Sequence, residues 1–194
     1  MASLRVTAGT MRGRKVHVPP RDVRPTSERA RQAFFNIVSE RIAGARFLDL
    51  FAGTGIFSFE ALSRGAATST AIDVSRQNVA AIAANAASFG VTVRVIAADV
   101  LTGIKRLPGE VFDVIYADPP YDYAGYDDLL MTIATHLTLA PGAIVALEHR
   151  RNTEPVTLEP TGLSRTRRAE YGEVWIDFYE AVAGGQLPVA EAPQ

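Results

Sequence analysis

From Arg46 to Glu148 the chain repeats one unit: a short run apolar enough to be buried on both faces, then a segment with helical spacing. The runs are "RFLDLF", "STAID", "VTVRVIA", "VFDVIYA" and "AIVALE". Between them the spacing predicts helices over Ile56 to Arg64, Ser75 to Phe89 with Gly90 closing it, Leu101 to Leu107, and Tyr126 to Leu139. A Pro141–Gly142 turn introduces the fifth run. Strands buried on both faces and separated by helices belong to a parallel sheet covered by two helical layers. The end departs from this rhythm. "LSRTRRAEYGEVWIDFYEAV" reads as two strands joined near Tyr171–Gly172, so an antiparallel hairpin should complete a seven-stranded sheet, with Trp175 in the core. The expected class is therefore α/β, doubly wound and mostly parallel, with a C-terminal antiparallel hairpin.

Ahead of the repeats, "RPTSERARQAFFNIVSERIAG" has Ala30, Ala33, Phe34, Ile37, Val38 and Ile42 at helical spacing. Thr26 or Ser27 can cap that helix and Gly44 can end it. Before it, "LRVTAGTMRGRKVHVP" alternates like a small β-hairpin around a glycine turn. The expected organisation is a hairpin extension over residues 1–25, one domain over 26–183, and a loose tail over 184–194.

Charge is divided unevenly. Residues 1–31 hold eight Lys or Arg against Asp22 and Glu28, a net +6, while the rest of the chain carries −7. A basic arm on a mildly acidic body points to a polyanionic partner. Cysteine is absent, which excludes disulfides, thiolate metal sites and a cysteine nucleophile. His17, His136 and His149 show no ligand spacing, so no metal is expected. There is no apolar run near 18 residues and no signal pattern, which makes a cytoplasmic location and no membrane partner the expectation.

In a doubly wound sheet, ligands gather at the carboxyl ends of the strands. The first of these strands ends in "DLFAGTG", where Gly53 and Gly55 let the backbone bend close to a ligand. The second ends in Asp73, 24 residues after Asp49, where an acid can take ribose hydroxyls. The third runs into Asp99, which could accept from an adenine amino group. Three acids at neighbouring strand ends outline a nucleoside site. A dinucleotide fits it poorly: Ser58 occupies the third glycine place of G-x-G-x-x-G, and an acid beside the loop disfavours a pyrophosphate. S-adenosylmethionine, with adenosine, no phosphate and a cationic sulfonium, fits better.

The fourth strand delivers Asp118-Pro119-Pro120-Tyr121 to the same edge. The prolines fix φ and hold the residues before them extended. The loop thus presents the Asp118 carboxylate and the Pro119 carbonyl as fixed acceptors, and Tyr121 offers a ring on which a base can stack, worth about 1–3 kcal/mol. Two acceptors gripping an exocyclic amino group can turn its lone pair toward a methyl sulfonium, so that positioning and electrostatics carry the reaction. Without a cysteine, carbon-5 methylation of pyrimidines is excluded.

With those residues placed, the chain resembles the RsmD family of class I S-adenosylmethionine-dependent methyltransferases. The resemblance covers roughly residues 4–180 and rests on "AGTMRGRKVHVP", "RPTSERARQAFFNI", "LDLFAGTGIFSFEALSRGA" and "ADPPY". It implies a Rossmann-like methyltransferase fold and transfer of a methyl group to the N2 amino group of a guanine in bacterial 16S rRNA, within the small subunit or its assembly intermediate. It further implies donor contacts by Asp49, Phe51, Gly53, Gly55, Asp73, Val74, Asp99 and Val100, with Asp118, Pro119, Pro120 and Tyr121 at the target amino group. Arg12, Arg14 and Lys15 are the implied RNA contacts, with Thr26 and Arg29 near the mouth, and the expected state is a monomer. Adenine-N6 methylation of DNA or RNA stays open, because the same loop serves adenine enzymes. Protein glutamine methylation and a non-catalytic RNA-binding module are further alternatives.

Overall fold

A computed structural model describes residues 4–18, 28–151, 153 and 162–181. Strands β1 (Leu4–Arg5) and β2 (Lys15–Val16) form a small antiparallel hairpin. Helices α1 (Glu28–Ile37) and α2 (Ser39–Ile42) lead into β3 (Arg46–Leu50), α3 (Ile56–Ser63), β4 (Thr68–Asp73), α4 (Arg76–Phe89) and β5 (Arg94–Ala97). Then come α5 (Val100–Ile104), β6 (Val111–Ala117), α6 (Tyr126–His136), β7 (Thr138–Arg150), β8 (Leu163–Tyr171) and β9 (Val174–Ala181). The seven-stranded sheet has the order β5-β4-β3-β6-β7-β9-β8. The pairings from β5 to β7 are parallel, and β9 joins antiparallel to β7 and β8. Both the expected class and the closing hairpin are present. The order reverses between β3 and β6, which places a ligand crevice at the carboxyl ends of those two strands.

Side-chain alternation builds the two layers. Phe47, Ala71, Val114, Tyr116, Ala146 and Phe178 face α1, α3 and the N-terminal hairpin. Their neighbours Leu48, Ile72, Ile115, Val145, Leu147 and Tyr179 face α5 and α6. The first layer centres on Phe34, whose ring packs on Phe35, Phe57, Tyr116 and Phe178. Each such ring, once fully buried, contributes about 1.5–3 kcal/mol.

Boundaries differ from the sequence expectation, three of them for a visible reason, while the helices expected to reach Leu107 and Leu139 end at Ile104 and His136. The single helix over "RPTSERARQAFFNIVSERIAG" breaks at Val38 (φ −91°, ψ 12°), and the tightened turn keeps both Val38 and Ile42 in the core. The third strand of the repeats starts at Arg94, because the chain after Gly90 first folds back, with the Val91 N–H on the Ala86 carbonyl. The strand carrying "AIVALE" begins at Thr138 and crosses Pro141–Gly142 as a bulge, where the register with β6 shifts between Phe112 and Val114. Trp175 is half-buried rather than in the core, with the Arg168 guanidinium 4.5 Å from its ring centre.

The N-terminal hairpin is welded to the domain. Val6, Met11 and Val16 are buried in the first layer. Gly9 (φ +76°) lies so close to α3 that a Cβ would fall 1.8 Å from the Ser63 carbonyl oxygen. The fully buried Glu60 accepts from Thr7 N (2.8 Å), Thr7 Oγ1 (2.6 Å), Ala8 N (3.1 Å) and Arg64 Nε (2.8 Å). Among the described residues, no helix is long and apolar enough to cross a membrane.

Candidate active site

The bend after β3 is held by the strand beside it. Ala52 N donates to the Ile72 carbonyl, and Gly53 N donates to Asp73 Oδ2 at 2.7 Å. Asp73 Oδ1 also takes Ser75 N (2.8 Å) and Asn78 Nδ2 (3.2 Å), so one acid ties the glycine bend to the start of α4. Gly55 (φ +73°) turns the chain into α3, and a Cβ there would meet Ile82 Cγ1 at 2.9 Å. Among the described residues, Phe51 is the non-glycine residue with positive φ (59°), a strained backbone of the kind that clusters at ligand sites.

Asp49 has a different place from the one its position in the motif implies. It is buried, and its Oδ2 accepts both Ser58 N (3.0 Å) and Ser58 Oγ (2.7 Å). It therefore caps the first turn of α3, whose leading residue Gly55 supplies no side-chain cap. Burial is the main reason its carboxyl is pushed up to about 7, against the pull of the two Ser58 bonds. Serine in the third glycine place has its reason here: it is the partner of Asp49.

A cavity of about 660 Å³ opens at this edge, well within the range of small-molecule sites. Its wall brings together Phe51, Gly53, Asp73, Val74, Asp99, Val100 and all four residues from Asp118 to Tyr121. Asp49 and Gly55 stand behind that wall rather than in it. Asp99 also caps α5, its Oδ1 accepting from Leu101 N and Thr102 N. Asp118 is anchored through its N–H on the Leu50 carbonyl, which binds the proline corner directly to β3. The Pro120 carbonyl takes Tyr123 N at 2.9 Å, and Tyr123 sets its ring edge against Phe51. Tyr121 is 42% exposed, and the Arg150 guanidinium lies 4.2 Å from its ring centre.

The wall includes residues that the sequence reading passed over. Thr54, Ser75 and Asn78 add polar groups, while Leu4 of the hairpin and Val174 of β9 contribute apolar edges. Glu148 is the important addition. It sits near the carboxyl end of β7, one strand from Asp118, and accepts from Tyr116 Oη at 2.5 Å. Its carboxyl is pushed up to about 8 by burial and then by the charge of Asp118, partly offset by the Tyr116 bond. The reasoning that found Asp73 and Asp99 at strand ends applied equally to the last letter of "AIVALE". Four carboxyl groups (Asp73, Asp99, Asp118 and Glu148) line this wall, and no Lys, Arg or His does among the described residues.

The implied RNA contacts divide. Arg12 and Lys15 are exposed on the hairpin, and Arg29 is exposed on α1. Arg14 is exposed as well, and it also donates to the carbonyls of Phe89 (2.8 Å) and Ser88 (3.4 Å) and lies over the Phe89 ring, capping the end of α4. Thr26 and the tail over 184–194 lie outside the described residues. Among the histidines, His149 is buried with Nε2 3.1 Å from Asp177.

A family model described as "Conserved hypothetical protein 95" matches residues 4–180. The ribosomal RNA small subunit methyltransferase D of Escherichia coli (strain K12) is 29% identical over 185 residues, 94% of this chain and 92% of that protein. The protein of the same name from Buchnera aphidicola (subsp. Acyrthosiphon pisum, strain APS) is 32% identical over 120 residues, 60% of this chain and 62% of the relative. Among solved structures, yhhF of Escherichia coli superposes with a TM-score of 0.82 at 28% identity, covering 93% of this chain and 99% of that one.

Proposed function

The chain belongs to the RsmD family, whose model spans nearly all of it, and from that premise we propose that it methylates small-subunit ribosomal RNA at the N2 amino group of a guanine, with S-adenosylmethionine as donor. The observation that carries the donor assignment is the cavity wall, with four carboxyl groups and no cationic side chain among the described residues. Such a wall repels a pyrophosphate and favours a nucleoside bearing positive charge. When bound, the donor supplies a methyl group on a cationic sulfur. Asp73 would hold the ribose and Asp99 the base of the donor, with Phe51, Gly53, Val74 and Val100 shaping its bed. Asp49 supports that bed from behind by fixing the start of α3.

Asp118 and the Pro119 carbonyl would accept the two N–H bonds of the target amino group. An amino nitrogen conjugated to a purine ring is a poor nucleophile, and holding both N–H bonds out of the ring plane frees its lone pair. The bond Asp118 N–H makes to β3 and the fixed φ values of Pro119 and Pro120 keep these acceptors rigid, so little reorganisation is left for the reaction. The stacked Arg150–Tyr121 pair stands at the mouth, where a base leaving the RNA would meet it. Exposed Arg12, Lys15 and Arg29 would hold phosphates beyond it.

The test is transfer of tritiated methyl groups from the donor to small subunits lacking the modification, followed by digestion and identification of the labelled nucleoside. N2-methylguanosine is expected. N6-methyladenosine, or no label in RNA, would overturn the assignment.

A further inference from the structure

Asp118 is not the only acid where the target base must lie. Glu148 shares the cavity wall, is only 6% exposed, and belongs to the strand next to the one that delivers Asp118. Its orientation is imposed. Tyr116 Oη donates to Oε2, and the Tyr116 ring is clamped by Phe57, stacked at 3.8 Å, and by Phe34 at 4.8 Å. Burying a carboxyl against a pocket whose wall holds no cation among the described residues is costly. A packing role would be served better by an apolar residue, whereas a ligand-binding role needs the acid.

We propose that Glu148, steered by Tyr116, is the second carboxyl of the reaction site: it accepts the ring N1–H of the target guanine beside the amino group held by Asp118, and it becomes anionic when the positively charged methyl donor occupies the cavity. This rests on the donor and base assigned above. Guanine carries adjacent donors at N1 and N2, and a pair of neighbouring acids gives each its own acceptor. Adenine has a bare N1 at that place and would set one acceptor against another, an anionic Glu148.

The groups around Glu148 make the switch possible. From β6 comes Tyr116, and from the loop after it comes Asp118. Asp49 of β3 and Arg31 of α1 act on Tyr116, and β9 places Ile176 opposite Glu148 in the ladder. Burial and then the charge of Asp118 push the Glu148 carboxyl up to about 8, so the free protein is expected to carry it protonated at pH 7. A cation in the same cavity acts in the opposite direction and expels that proton. Donor binding should then tighten as pH rises toward 8 and level off above it, by no more than tenfold per pH unit. The demethylated product, whose sulfur is neutral, lacks this coupling.

Calorimetry of donor and product binding at pH 7, in two buffers of different ionisation enthalpy, counts the protons released. Asp49 titrates in the same window, so the difference between wild type and Glu148→Gln is the readout. The donor is expected to release more protons from wild type than from Glu148→Gln, approaching one, and the product should show no such difference. The KM for unmodified small subunits should rise by about fivefold or more in Glu148→Gln, whose one amide oxygen must serve both Tyr116 and the ring N–H. Equal proton release in the two proteins would overturn the proposal. Tyr116→Phe keeps the acid and removes the bond that lowers its pKa, so it covers the case in which Glu148→Gln does not fold. Its pH window for donor binding should move upward, and an unmoved window would also overturn the proposal. Failure of the donor to bind wild type at all would instead overturn the cofactor assignment.

Discussion

Replacing Glu60 with alanine should strongly destabilise the protein, although the residue is remote from the chemistry. Glu60 is fully buried and receives two backbone N–H groups of the hairpin, the Thr7 hydroxyl and Arg64. It is also the acid facing Arg31, whose Nε lies 3.8 Å from Oε2. Arg31 is fully buried, and its Nε and Nη1 have no hydrogen-bond partner among the described residues, while Nη2 donates to the Arg5 carbonyl. Burial already lowers the Arg31 pKa, with Glu60 the first group opposing that. Glu60→Ala would leave a buried guanidinium without its counter-charge and the Thr7 and Ala8 N–H groups without acceptors. Breaking such a pair costs about 3–5 kcal/mol, against a whole-domain stability of about 5–15 kcal/mol. In urea, with an m-value of about 2 kcal/mol per molar, the midpoint should fall by roughly 2 M. Glu60→Gln keeps the shape and one acceptor oxygen, so it should lose clearly less. A Glu60→Ala midpoint within 0.5 M of wild type (about 1 kcal/mol) would refute the view that this carboxylate fastens the hairpin to α3.

Asp118→Ala should reduce turnover by roughly a hundredfold or more while donor binding survives, as measured by single-turnover transfer and calorimetry. Replacing Arg12 and Lys15 together should weaken RNA affinity and lower the salt slope by about 1 for each phosphate no longer neutralised. Arg14→Ala should leave the slope unchanged and cost about 0.3–1 kcal/mol of stability, since its charge sits on the end of α4. Asp49 gives a pH signature. Its folded pKa of about 7 lies above the usual carboxylate value, so its contribution to stability is fully present below pH 4 and is lost as pH rises to 7. Asp49→Asn, which stays neutral, should therefore compare more favourably with wild type at pH 8 than at pH 4 in urea titrations.

The sheet was legible because apolar runs of strand length, separated by helical spacing, admit few other arrangements. The cavity acids Asp73, Asp99 and Asp118 followed from strand ends alone. Where the reading fell short, tertiary contacts had decided the outcome. Val38 fits a continuous helix, yet burying Val38 with Ile42 tightens the turn there. Pro141–Gly142 marks a turn by its residue types, but β6 offers a partner on both sides and the strand bulges through. Asp49 matched a ligand position in one dimension, and only the reach of Ser58 reveals it as a helix cap. Arg14 looked the same as Arg12 and Lys15 until Phe89 was found beneath it. The buried Glu60 hub joins residues more than fifty positions apart, and no local pattern encodes it.

One cavity brings together the glycine bend and the proline corner, where a single ligand is proposed to span them. A crystal structure of the protein grown with S-adenosylmethionine tests it most directly. The expected result places the donor between Asp73 and Asp99 with its methyl group directed at the Asp118 carboxylate, near enough for an amino nitrogen to bridge them. A donor bound elsewhere, or with its methyl group turned away from Asp118, would contradict the account.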